Sequence, residues 1–321
     1  MSEQAYLNLL QDILDNGVKK SVFGHEDTYI LSLFGRMLRF DMSEGFPILT
    51  TKFTYWKGSF IEMLWFKNAS RDIVQLHKQK VYIWDEWGCK HYNKVNKTNL
   101  TTKEFQALID EGKLTEWKIP LHYSNSTAWE YNTFTSHPWL PEPEYEVGKA
   151  YLNQTRWVID SIKKTPERKS YIVSYWNPTE VYSQADQCNK ESVTLPACHV
   201  MYQINISQDK LSLMLFQRSW DYFLGSSFNI SQYALLLYMY AKCTGYEPGE
   251  LVIAVGDCHL YQNQLEQAKE LLTRKPYSFP TLKIKDRGQQ YLEDFVFEDF
   301  EVENYKHHPK LAAEVVVVGG Y

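Results

Sequence analysis

Between Cys198 and Tyr261 apolar runs alternate with polar islands, and this alternation limits the possible folds more than any other feature of the chain. His199–Ile206 and Leu211–Gln217 read as strands, Phe228–Thr244 as a long apolar helix stopped by Gly245 and Pro248, and Leu251–Val255 as a further strand. The islands are Thr194–His199, Gln217–Asp221, Leu224–Ile230 and Gly256–Tyr261. Polar groups set among apolar neighbours are costly to bury unless hydrogen-bonded, so each island is a candidate site. Together they offer a thiol, a fixed cation, an amide, a carboxylate and two imidazoles. That inventory suits covalent chemistry on a planar, polar, anionic small molecule.

The remaining sequence predicts a helix over residues 3–17, a strand over Tyr29–Phe40 and a helix over Lys57–Asn68. The last of these places Glu62 among Ile61, Met63, Leu64 and Trp65, where desolvation should raise its pKa. Residues 90–147 are first Lys- and Thr-rich, then Trp- and Pro-rich, and read as a partly irregular insertion with one short helix near Lys103–Gly112. A helix over Tyr151–Lys163, a strand over Tyr171–Trp176 and a helix over Gln262–Thr273 complete the pattern. With no internal repeat, residues 1–321 are expected to form a single α+β domain.

A formal charge of −5 argues against broad nucleic-acid coating but leaves room for a local basic pocket. Five cysteines, an odd count without a spaced framework, favour reduced thiols and a cytoplasmic setting (host cytoplasm for a phage-encoded chain). No signal-peptide pattern and no apolar run of about 18 to 20 residues is present, so no membrane partner is expected.

Cys198 opens a strand, and alone it reads equally well as a small buried hydrophobe. His199 is a poor base for it, because adjacent strand residues point to opposite faces. A zinc site is also disfavoured, since neither Cys-His pair has the usual ligand spacing. Arg218 is the better partner, because its cation would favour the thiolate over the reference pKa of about 8.5.

Pro-x-Cys-His, Gln-Arg-Ser-x-Asp, Leu-Gly-x-x-Phe-Asn-Ile and Gly-Asp-x-His-x-Tyr, in that order, resemble the thymidylate synthase family. Phe46–Lys52, Glu62–Trp65, Ile83–Trp87, Val173–Asn177 and Phe297–Glu301 extend the likeness over most of residues 20–310. The resemblance implies a mixed sheet packed against helices, with the sheet forming a homodimer interface and each site completed by the neighbouring subunit. It implies 5,10-methylenetetrahydrofolate as co-substrate, a pyrimidine nucleotide as substrate, and neither a metal nor an obligatory nucleic acid. By the same resemblance Cys198 would add to C6 of a uracil ring, making C5 nucleophilic. Asn229 would read N3–H and O4, Glu62 would move protons through water, and His199 with Asn177 would order that water. Arg218, Ser219 and Gln217 would face the nucleotide and its phosphate, and His259 with Tyr261 the sugar hydroxyl. Asp221, Leu224, Gly225, Trp84 and Trp87 would face the folate, with Lys52 near its glutamyl tail.

The chain departs from the family pattern at the phosphate end. Where the family has an Arg-Thr-Gly-Thr-Gly loop, the sequence reads His25-Glu-Asp-Thr-Tyr29. Where it has a paired arginine reaching across the dimer, the sequence reads Lys169-Ser170, preceded by Arg168. Lysine keeps the charge but not the bidentate fork. Of four expected arginines only Arg218 remains, which predicts an altered phosphate end. Residues 314–321 also make a longer tail than the family's short apolar one. Three readings follow: a reductive C5 methylase, a 5-hydroxymethylase in which water replaces hydride, and a non-catalytic nucleotide- or RNA-binding homologue. Intact Cys198, Glu62, Asn229 and Asp221 argue against the third.

Overall fold

The computed structural model describes residues 3–22, 25–68, 70–119, 129–132, 149–176 and 197–313, without the side chains of 25–26, 129–132 and 149–152. Asn177 and residues 314–321 therefore lie outside the described residues, as do the rest of the insertion and the side chain of His25.

The chain opens with α1 (Gln4–Asn16), whose Tyr6, Leu7, Leu10 and Ile13 turn into the core at helical spacing. A hairpin follows, β1 (Val18–Val22) and the long β2 (His25–Asp41). Helices α2 (Trp56–Lys67), α3 (Ile73–Lys78), α4 (Asp85–Asn96) and α5 (Thr102–Asp110) come next. Short strands β3 (Trp129–Asn132) and β4 (Lys149–Leu152) pair with each other before α6 (Gln154–Lys164) and β5 (Ile172–Ser174). Then come β6 (His199–Ser207), β7 (Lys210–Asp221), α7 (Gly225–Thr244), β8 (Glu247–Tyr261) and α8 (Leu265–Leu272). A last hairpin joins β9 (Thr281–Ile284) to β10 (Phe300–Glu303).

Six strands make one mixed sheet in the order β1-β2-β8-β7-β6-β5. Among the described residues only β7 and β8 run parallel, because α7 carries the chain back between them. The expected α+β class with a mixed sheet against helices is what the chain adopts. Helix α7 is apolar on all sides, so it must be covered on all sides, and it packs against β7, β8, α2 and α6. It ends where Gly245 takes the left-handed conformation (φ +80°) and returns its N–H to the Ala241 carbonyl.

The opposite face of the sheet carries uncovered apolar side chains. Met37 and Phe216 both stand opposite Ala254, and Met201 stands opposite Phe216, giving one row across four strands. All three of those side chains and Phe34 are exposed, Phe34 at 78% and Met37 at 52%. Among the described residues no helix is long and apolar enough to cross a membrane.

The insertion differs from expectation in its first part. Helix α4 runs into it, and α5 starts with a full capping box between Thr101 and Glu104. His77 of α3 ties the two together, its ring nitrogens lying 3.1 Å from Asp85 Oδ2 and 2.8 Å from Asp110 Oδ1.

Candidate active site

Cys198 lies half-buried immediately before β6, whose first residue, His199, stands opposite Gln217 of β7. The Arg218 N–H donates to the Cys198 carbonyl at 2.9 Å, and its Nε donates to the Ala197 carbonyl at 3.0 Å. So anchored, the guanidinium brings Nη2 to 3.9 Å from the Cys198 Sγ. Gly256 of β8 makes room for this strand: a Cβ there would stand 2.7 Å from the Arg218 carbonyl oxygen. The sequence expectation that Arg218 is the thiol's cationic neighbour therefore has a definite geometry.

Asn229 sits in the first turns of α7, where polar residues interrupt an otherwise apolar helix. Its Oδ1 accepts from Trp220 Nε1 at 3.0 Å and from Gln217 Nε2 at 3.1 Å. His199 also hydrogen-bonds Asn229; burial drives the imidazole pKa down to about 4, so the ring is neutral in the physiological range. Its ring meets that of Tyr233 edge-on at 5.0 Å. Gln217 Oε1 is a buried acceptor without a hydrogen-bond partner among the described residues.

Glu62 is buried on α2, as its apolar neighbours in the sequence predicted. Trp84 Nε1 donates to Oε1 at 2.7 Å, and Gln232 Nε2 donates to Oε2 at 2.5 Å. Burial raises the carboxyl pKa to about 7 against the opposing pull of these two donors. Such a group exchanges protons near neutrality, as general acid–base work requires. Trp84 thus holds the carboxylate directly, a contact not anticipated from the sequence, and its ring lies 5.5 Å from that of Trp87.

The end of β8 carries a second polar cluster. His259 and Tyr261 are buried with their rings edge-on at 5.2 Å, and burial raises the Tyr261 pKa. His259 Nδ1 lies 2.9 Å from Asp257 Oδ1, and Lys20 Nζ donates to Asp257 Oδ2 at 2.8 Å. Burial works against the Asp257 charge, yet these hydrogen bonds hold its pKa well below the carboxylate range. Asp221 Oδ1 accepts the N–H groups of Phe223 and Leu224, and Oδ2 accepts from Gln264 at 3.1 Å. Gly225 lies between the two halves: a Cβ on it would be 3.6 Å from Asp221 Cβ and 3.7 Å from Asn229 Oδ1.

Other expected residues fall further out. Lys52, expected near the glutamyl tail of the folate, is buried: its ammonium donates to the Phe223 carbonyl and lies 4.1 Å from the Phe223 ring centroid. Burial lowers its pKa to about 8. Ser219 is half-buried with its carbonyl bonded to Gln217, while Arg168 and Lys169 are exposed before β5. Sequence reasoning missed Trp220, Gln232, Asp257 and Lys20. The signal for Gln232 was available, since a glutamine one turn after Asn229 in an apolar helix needs a partner.

The fold is an α+β one built on a mixed sheet, and it sets a half-buried thiol beside a guanidinium and a buried carboxyl network. The thymidylate synthase family model matches residues 4–317. The chain is 36% identical over 316 residues to a thymidylate synthase of Francisella philomiragia, covering 97% of this chain and 99% of that one. It is 35% identical over 319 residues to a thymidylate synthase of Mycoplasma mobile, covering 98% and 100%. The chain belongs to the thymidylate synthase family, and it is an enzyme of the methyltransferase class.

Proposed function

We propose that this protein transfers the one-carbon unit of 5,10-methylenetetrahydrofolate to C5 of a uracil nucleotide through a covalent Cys198–C6 adduct. The observation that carries this reading is the Arg218 guanidinium held 3.9 Å from the Cys198 sulfur, beside the Asn229–Glu62 network. The Cys198 thiolate adds to C6, and the resulting enolate carbon C5 bonds the methylene carbon. Glu62, titrating near neutrality, helps pass on the C5 proton, and neutral His199 helps to orient Asn229 for the base edge. Expulsion of the folate amine leaves an exocyclic methylene. Hydride from tetrahydrofolate then gives methyl and dihydrofolate, and Cys198 leaves C6.

Trp84, which donates to the Glu62 carboxylate, packs against the rings of Trp65, Phe66 and Trp87. Such aromatic packing keeps water from the methylene, which favours methylation over 5-hydroxymethylation. Product mass from dUMP, UMP, dCMP and CMP separates the two: a methyl product supports this reading, and a hydroxymethyl product overturns it.

The exposed row Met37–Phe216–Met201 supports a homodimer formed through the sheet, with chain 1–321 as one catalytic domain working in the cytoplasm. Met37→Asp should sediment as a monomer; an unchanged dimer would remove that face from the interface.

A further inference from the structure

The polar side chains under the cleft form one chain whose direction is fixed from both ends. An indole N–H can only donate. Trp220 Nε1 at 3.0 Å therefore turns the Asn229 oxygen toward itself and the Asn229 NH2 the other way. That NH2 donates to Gln232 Oε1 at 3.2 Å, one helical turn further along α7. With its oxygen so engaged, Gln232 turns its own NH2 to Glu62 Oε2, and the same group reaches the Ser59 carbonyl at 3.4 Å. The second indole, Trp84, donates to Glu62 Oε1. Gln232 is fully buried, so water cannot replace any of these partners without opening the core.

We infer that Gln232 is a positioning residue that couples the orientation of the Asn229 amide to the protonation of the Glu62 carboxylate. A proton on Oε2 facing Gln232 would meet an N–H donor. Relief requires Gln232 to turn its amide over, which sets its NH2 against the Asn229 NH2. Asn229 cannot follow without presenting its own NH2 to the Trp220 indole. The chain thus favours the carboxylate against the larger, opposing effect of burial, and a proton must enter Glu62 from a side other than that facing α7. Among the described residues no charged side chain contributes to the Glu62 shift, and the carboxylate's hydrogen-bond donors are Trp84 and Gln232, so the chain through Gln232 links it to Asn229.

The roles of Asn229 and Glu62 in turnover rest on the reaction proposed above, but the coupling itself does not. Infrared difference titration of Glu62, with Glu62→Gln as the blank, tests it on the full chain. Gln232→Met keeps the shape and removes both hydrogen bonds, and should raise the Glu62 midpoint by about one pH unit. Trp220→Phe does not alter any atom touching Glu62, yet it removes the donor that can only donate and leaves Asn229 Oδ1 with Gln217, an amide that can itself turn over, so Asn229 and then Gln232 become easier to turn. It should raise the midpoint by a smaller but measurable shift, which loss of local packing would not produce. The rising limb of the pH profile for tritium release from C5 of a uracil nucleotide should move with each midpoint. An unmoved midpoint in either folded variant overturns the coupling, and Trp220→Phe decides alone if Gln232→Met does not fold. Absence of tritium release from the wild type would refute the proposed reaction while the midpoints still judge the coupling.

Discussion

Asn229, Gln232 and Glu62 close their hydrogen bonds inside one subunit, under the cover of α2 and α7. Arg218, by contrast, is a half-buried cation anchored by the main chain before β6, and two other candidate cations, Arg168 and Lys169, are exposed before β5. The contrast separates two demands on one cleft. Reading a flat base requires donors and acceptors of fixed direction, which a dry core supplies. Holding an anion requires charge that stays solvated until the ligand arrives. In the proposed homodimer the second demand would be met in part from the neighbouring subunit.

The largest effect should come from the base end. Glu62→Gln is expected to lower kcat by about 10² to 10⁴-fold with little change in nucleotide binding, as read by steady-state kinetics and calorimetry. A kcat within threefold of wild type would strip Glu62 of its proton-transfer role. At the phosphate end, Arg218→Met should weaken a nucleoside monophosphate by about 10- to 100-fold and slow alkylation of Cys198 by iodoacetamide. With few arginines available, dUMP is expected to bind poorly beside relatives with the complete set. An ordinary micromolar KM for dUMP would show that other residues complete the site.

The smallest effect is on stability. Glu62 is raised from 4.5 to about 7, so folding favours its protonated form. The stability this gives is fully present below about pH 4.5 and is lost as pH rises through about 7. Glu62→Gln carries no such penalty, so its stability relative to wild type should grow across that window by at most about 3 kcal/mol. Urea melts at pH 4.5 and pH 8 would check this, and a constant difference would contradict it.

Much of the arrangement can be read from sequence where a local pattern matches the final environment. The apolar run in α7 needed only burial, and Glu62 among apolar neighbours disclosed its own desolvation. Strands were harder at their functional ends. Alternation suggested Leu211–Gln217 and Leu251–Val255, yet β7 runs on to Asp221 and β8 spans Glu247–Tyr261. The polar islands are continuations of these strands, held in the ladder by neighbouring backbone and by one another. Helix α4 escaped notice because it is polar and is fastened by His77, a contact from another element. The β9–β10 pair has short strands and a long connection, so no local period reports it. Lys52 and Trp84 were expected near the folate, and packing adds contacts the sequence did not announce: Lys52 donates to the Phe223 carbonyl and Trp84 to Glu62. Motif spacing reports that a residue belongs to a site, and only packing decides what it touches there.

Methylenetetrahydrofolate-dependent release of tritium from C5 of a uracil nucleotide tests the central claim most directly, because only a C6 adduct makes that hydrogen exchangeable at neutral pH. Wild-type protein should release tritium, and Cys198→Ala should fall to background. No release from any uracil nucleotide, or undiminished release by Cys198→Ala, would contradict the covalent mechanism.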